Sequence, residues 1–267
     1  MRSPPATFLR ASLFNLAFYA WTVPLAVLGA PALPFLREEQ VRAYARFWER
    51  GIHLLLRTIV GLDYEVRGRE RLPATPCIVA SKHQSAWETL AFHVIVPKVV
   101  VGLKRELTRI PLFGQYLLKA GNIPIDRESP QRAIRSLVEG AKRAIARGDH
   151  VLVFPEGTRR PPDAPPDYRP GVAALYRSLG VPVVPAALNS GVFWGRRSWL
   201  KFPGRIVVEF LEPIPPGLDR ATFMRTLEER IETATRRLVA EARGEPEAIA
   251  AQAPAPVASA ERTRARS

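Results

Sequence analysis

The chain has a single cysteine, Cys77, among 267 residues, so no intramolecular disulfide staples it. Cys77 lies in the apolar run Cys77-Ile78-Val79-Ala80, the setting of a core side chain. The Cys and His spacings of a zinc site are missing, as are a Gly-rich nucleotide loop and any internal repeat. No metal and no tightly bound cofactor are expected. Zinc-finger, RNA-recognition and basic-zipper patterns are absent too, which argues against nucleic acid as a partner. Acidic residues are scarce: 25 Asp and Glu stand against 39 Lys and Arg, a net charge of +14 with Arg far outnumbering Lys. That excess points to other anionic partners. The chain is 47% hydrophobic, enough at this length for one sizeable core.

Charge is also missing locally. From Ala11 to Leu36 no residue is ionisable at neutral pH, and Phe14, Leu16, Phe18, Trp21, Leu25 and Leu28 crowd the segment. About 20 apolar residues suffice to cross a bilayer. Pro24, Pro31 and Pro34 should bend or end a helix there, so a full span and a re-entrant or interfacial anchor both fit. A cleaved signal peptide is the other reading, with Arg2 and Arg10 ahead of the run and Ala30-Pro31-Ala32 as its cleavage site. The early mixture of Pro, Phe and Leu counts against it. Beyond Arg37, Val41, Tyr44, Ala45, Trp48, Ile52, Leu55 and Ile59 recur at helical spacing among arginines and glutamates. That stripe suits a core-packing helix, or an interfacial one.

Strands are expected at Tyr64–Arg67, Cys77–Ala80, Val99–Leu103, Ile123–Ile125, Val151–Phe154, Val183–Leu188 and Arg205–Leu211. Helices are expected at Ala86–Val96, Pro130–Ala146, Gly171–Ser178 and Arg220–Arg243, with Ser129 and Asp219 as caps. The alternation predicts an α/β layer architecture. Residues 1–60 read as a hydrophobic and amphipathic anchoring region, 61–242 as the α/β domain, and 243–267, rich in Ala, Pro, Glu and Arg, as a disordered tail.

Chemistry concentrates in Ser81-Lys82-His83-Gln84-Ser85-Ala86-Trp87-Glu88. A neutral imidazole takes a proton from an alcohol near pH 7, and a carboxylate orients the ring and steadies the imidazolium. Five positions on one regular helix would splay His83 and Glu88, at roughly 100° per residue. The pair meets only if His83 lies before the helix and Glu88 in its first turns. Ser85 and Glu88 also have the spacing of a capping box, in which the carboxylate bonds backbone instead. Two further segments follow short apolar runs: Pro155-Glu156-Gly157-Thr158-Arg159-Arg160, and Asp126-Arg127 after Gly121-Asn122-Ile123-Pro124-Ile125. A guanidinium fork suits phosphate, while ion pairing with Asp126 or Glu128 is the plainer role for Arg127.

In this order, with Val181-Pro182-Val183-Val184-Pro185 as a fourth block, the segments resemble the lysophosphatidic acid acyltransferase family of glycerolipid acyltransferases. The resemblance covers roughly residues 60 to 215; the family's usual acid is Asp, where this chain has Glu88. It implies an α/β core with a mixed central sheet flanked by helices, behind a membrane anchor on the cytoplasmic face of the membrane. It implies acyl transfer from acyl-CoA or an acidic acyl-carrier protein to the sn-2 hydroxyl of lysophosphatidic acid, on an anionic phospholipid surface. His83 would be the general base and Glu88 its partner. Arg159 and Arg127 would hold the acceptor phosphate, with Lys104 a weaker candidate, and Glu156, Gly157 and Thr158 would shape the site. Ser85 lacks the Gly-x-Ser-x-Gly elbow of an acyl-enzyme nucleophile. Another lysolipid, such as a lyso-ornithine lipid, is the near alternative acceptor. A non-catalytic membrane-binding protein is the distant one.

Overall fold

The computed structural model describes residues 5–246. The tail expected at 243–267 lies, beyond residue 246, outside the described residues. Seven strands form one mixed sheet: β1 (Leu62–Arg67), β2 (Ile78–Ser81), β3 (Val99–Lys104), β4 (Ile123–Ile125), β5 (His150–Val153), β6 (Val183–Leu188) and β7 (Gly204–Phe210). Their order is β1-β7-β6-β2-β5-β3-β4, with every pair parallel except β6 and β7. β2 is central, Val79 standing between Leu152 and Val184. Both its faces are covered, so it reads as a continuous apolar run instead of an alternating one.

The helices are α1 (Pro5–Gly29), α2 (Glu38–Leu55), α3 (Glu88–Ile95), α4 (Phe113–Lys119), α5 (Pro130–Ala146), α6 (Gly171–Leu179), α7 (Ser190–Phe193) and α8 (Arg220–Arg243). On one face of the sheet, Leu137, Ala141, Leu175, Phe223, Leu227 and Ile231 from α5, α6 and α8 bury Ile78, Ala80, Val151 and Val153. On the other, α3 packs Ala91, Phe92 and Ile95 over Val79, Leu152 and Val184, with Phe14, Ile52 and Leu56 completing the cluster. Successive strand residues serve opposite faces, as the pleat requires. Caps start the long helices as expected: Ser129 Oγ accepts from the Arg132 amide at 3.2 Å, and Asp219 Oδ1 from Ala221 and Thr222 at 2.9 and 3.0 Å.

Of the three prolines expected to bend or end the first helix, Pro24 lies inside α1, which ends at Gly29, ahead of Pro31. A proline removes one backbone donor and crowds the preceding turn, which a long helix tolerates where the surroundings leave room; Pro24 is exposed. α4 has no counterpart in the expected helices because it is short and begins near a glycine. Gly114 sits so close to Thr108 that an added Cβ would lie 2.1 Å from its carbonyl oxygen.

α1 is long and apolar enough to cross a membrane, with a mean hydropathy of 1.5 and only 11% of its most apolar window buried. It is nevertheless joined to the rest of the chain. Trp21 Nε1 donates to the Trp48 carbonyl and Trp48 Nε1 to Thr22 Oγ1, both at 3.0 Å. Asn15 Oδ1 accepts from Lys201 Nζ at 2.6 Å, and that ammonium lies 5.3 Å from the Phe14 ring centre and 4.9 Å from that of Trp194. Desolvation lowers the Lys201 pKa to about 8. α2 is tied down by a buried two-pronged pair, Arg42 to Asp149 at 2.5 and 3.0 Å, and by Glu49 to His93 Nδ1 at 2.8 Å on α3.

Candidate active site

Parallel strands bring the candidate residues to one edge of the sheet. β2 runs into His83, β5 into Glu156–Arg159, β3 ends at Lys104, and β4 is followed by Arg127. Loops at the carboxyl ends of such strands converge on a shared crevice. The segments that carry chemistry in the sequence are therefore neighbours in space.

His83 leaves β2 on the α3 side. Its ring lies against that of Phe154, with centroids 3.9 Å apart and planes at 16°. The Arg160 amide donates to the His83 carbonyl at 2.9 Å, so the two loops are joined at the histidine itself. Nδ1 is buried without a hydrogen-bond partner among the described residues and faces Glu88 Oε2 at 3.5 Å. Catalytic contacts of this length in an unliganded site can tighten when substrate arrives.

Glu88 is the first residue of α3 and is fully buried. Its Oε1 accepts from the Gln84 amide at 3.1 Å, from the Ser85 amide at 3.0 Å and from the Ser190 hydroxyl. Oε2 shares the Ser85 amide at 3.0 Å and turns toward the imidazole. These donors replace the water a buried carboxylate has lost. The capping contact and the histidine contact thus coexist on one side chain. Ser85 Oγ accepts from the Trp87 amide at 3.1 Å and is buried, a local structural role.

Arg159 is half-buried, and its Nε has no hydrogen-bond partner among the described residues. Burial lowers its pKa below the ordinary arginine value; Glu88 opposes that shift and Arg196 reinforces it. A desolvated guanidinium without a bonded acid suits an incoming anion. Arg127 is exposed and donates from Nη2 to the Gly157 carbonyl at 3.2 Å, so it overhangs the same turn. Neither neighbouring acid pairs with it: Asp126 bonds Arg105 and Glu128 bonds Arg132. Gly157, at a φ of +64°, turns the loop, a conformation that costs a residue with a Cβ. Thr158 is half-buried beside it. Lys104 is exposed at the end of β3 and is not drawn into these contacts.

Glu156 departs from the role read in the sequence. Its carboxylate points away from the crevice, to Lys82 Nζ at 3.0 Å, and only 2% of the residue is exposed. The sequence reading also missed Ser190 and Gln84. Ser190 opens α7 immediately after β6, and Gln84 Oε1 accepts from the Gly191 amide at 2.9 Å. The signal was there, in small polar residues directly after the Val183–Leu188 strand.

A family profile described as "Acyltransferase" matches residues 63–189. The 1-acyl-sn-glycerol-3-phosphate acyltransferase of Pseudomonas aeruginosa is 38% identical over 202 residues, spanning 76% of this chain and 77% of its own. The chain belongs to the acyltransferase family. The human 1-acyl-sn-glycerol-3-phosphate acyltransferase alpha is 31% identical over 217 residues, covering 80% of this chain and 73% of its own. The crystal structure of the 1-acyl-sn-glycerophosphate (LPA) acyltransferase PlsC from Thermotoga maritima superposes with a TM-score of 0.69, over 86% of this chain and 97% of that one. At 23% identity it establishes the shared fold.

In this acyltransferase, Glu88→Gln should lose most of the turnover with little change in melting temperature. The amide can still accept from the Ser85 backbone, but it no longer presents an anion to the imidazole. Glu88→Asp should retain part of the activity. A Gln variant that melts early yet turns over normally would reduce Glu88 to a helix cap.

Proposed function

We propose that the protein transfers a fatty acyl group from an acyl thioester to the sn-2 hydroxyl of 1-acyl-sn-glycerol-3-phosphate, giving phosphatidic acid. The observation that carries this reading is the placement of Arg159, half-buried and unpaired among the described residues, within electrostatic reach of Glu88 and hence of His83. A base for an alcohol and a seat for an anion then share one crevice. His83 Nε2 takes the hydroxyl proton while Glu88 holds the Nδ1 side. The alkoxide attacks the thioester carbonyl, the tetrahedral adduct expels thiolate, and the imidazolium returns the proton to sulfur. Arg159 and Arg127 hold the acceptor phosphate. CoA or an acyl-carrier protein supplies the thioester.

An apolar cavity of about 470 Å³ supports a lipid substrate. It lies between α1, through Phe18, Thr22 and Val23, and the segment that carries the motif, through Ala86, Thr89 and Leu90. Thiol release measured with and without lysophosphatidic acid tests the reaction, and a panel of lysolipids with one donor tests the headgroup. Release independent of any lysolipid acceptor would refute the transfer reading.

The same proposal puts α1 on a bilayer with the catalytic crevice on the cytoplasmic side, where thioester donors are made. Leu9, Leu16 and Leu28 on α1 are 68%, 68% and 76% exposed, and removing apolar area from water yields about 25 cal/mol per Å². Truncation is a poor test, because Phe14 belongs to the core. The full-length variant Leu9→Glu/Leu16→Glu is expected to leave anionic vesicles for the soluble fraction while keeping its melting temperature. Retention on vesicles equal to wild type would remove α1 as the anchor.

A further inference from the structure

Lys82 is adjacent to His83 in sequence but faces the opposite way. It continues the row of Ile78 and Ala80, which point at α5, α6 and α8. Only 1% of Lys82 is exposed, and an ammonium this buried is costly unless paired. It has two partners. Nζ donates to Glu156 Oε1 at 3.0 Å and to Glu232 Oε1, on α8, at 2.8 Å. Tyr168 OH donates to the same Glu232 oxygen at 2.9 Å, and Arg160 Nε lies 3.7 Å from Glu156 Oε1.

This cluster lies beneath the catalytic crevice, on the far side of the strand ends from the imidazole. It joins three pieces of chain: the end of β2, the turn after β5 and the middle of α8. The turn is the one that carries Arg159; it is also held by the Arg160 amide on the His83 carbonyl, the Arg169 amide on the Pro155 carbonyl at 2.8 Å and Arg127 on the Gly157 carbonyl. Glu156 Oε2 is buried with no hydrogen-bond partner among the described residues, and burial raises this carboxyl's pKa against the opposing pull of Lys82. Glu156 therefore spends its contacts on Lys82 rather than on the crevice.

We propose that Lys82, Glu156 and Glu232 form a buried brace that positions Arg159 beside His83, with Glu156 and Glu232 acting on the acceptor only through it. The proposal rests on the acyl-transfer reading for its substrate and on the distances above for its geometry. It makes a residue on the far helix, which no substrate reaches, a determinant of acceptor affinity. A purely structural ion cluster would change stability and leave the kinetic constants alone.

The test is a kinetic series on the full-length enzyme with soluble short-chain lysophosphatidate. Glu232→Leu is expected to raise acceptor KM about tenfold with donor KM unchanged, and Glu232→Gln, whose amide oxygen still accepts from Lys82, to stay within about threefold. Glu156→Leu should raise acceptor KM similarly, and the double Leu variant should add little more, since both break one unit. Lys82→Met should show the largest rise; should it fail to fold, the Glu232 pair carries the test. Glu232→Leu with a lower melting temperature but unchanged acceptor KM, beside an impaired Glu156→Leu, would place Glu156 in contact with the acceptor and overturn the brace. A wild-type enzyme inert toward lysophosphatidate would count against the reaction instead. The brace would then be judged by hydrogen exchange at the Arg160 amide, expected to quicken at least tenfold in Glu232→Leu and not in Glu232→Gln, with equal rates overturning it.

Discussion

His83→Ala is expected to lower acceptor-dependent thiol release by about 10²–10⁴-fold, the usual contribution of a positioned general base. The loss should fall on kcat, because the imidazole acts in proton transfer and the phosphate contacts remain. Stability should change little. The ring is packed on Phe154, but Nδ1 has no hydrogen bond to lose, and the carbonyl that accepts from Arg160 belongs to the backbone. Circular dichroism and thermal melting separate the two effects. A folded His83→Ala enzyme with turnover near wild type would end the general-base mechanism.

Arg159→Ala is expected to act on the acceptor. A charge-assisted pair with phosphate contributes about 1.5–3 kcal/mol, a rise of roughly ten- to 150-fold in acceptor KM, with donor KM nearly unchanged. The variant should melt no lower than wild type, since among the described residues Arg159 has no salt bridge and its Nε no hydrogen-bond partner. That combination, weaker acceptor binding without lost stability, distinguishes a ligand-binding arginine from a structural one. Arg127→Ala should give a smaller effect, because the side chain is exposed and already donates to Gly157. A change confined to donor KM would move both arginines to the thioester side.

Much of the layer structure was legible because its causes are local. Pro130–Ala146 and Arg220–Arg243 match their expected limits, each started by a side-chain cap read from one residue. Ile123–Ile125 and Val183–Leu188 match because short apolar runs between breakers are extended. The prolines marked where α1 would end without saying which of them would stop it: the helix contains Pro24 and ends at Gly29, ahead of Pro31. The condition that His83 lie before a helix with Glu88 in its first turns was also legible, because 3.6 residues per turn would splay the pair on one regular helix; α3 starts at Glu88 itself, two residues after the expected Ala86.

The sequence alone determined which residues could do chemistry: an imidazole, a carboxylate five positions on, and arginines after two apolar runs. It also determined an α/β core and an N-terminal apolar segment uncharged from Ala11 to Leu36. Only the tertiary structure decided how those groups share their partners. Glu88 meets Ser190 across 102 positions, Lys82 meets Glu156 across 74 and Glu232 across 150, and Arg42 meets Asp149 across 107. Periodicity reports which face a side chain takes, and capping reports the next few residues. Neither reports which distant chain will lie opposite, because that follows from strand order and from the need to pair every buried charge. Glu156 shows the difference: its place in the turn was readable, and its direction, toward Lys82 and away from the crevice, was set by the packing of α8.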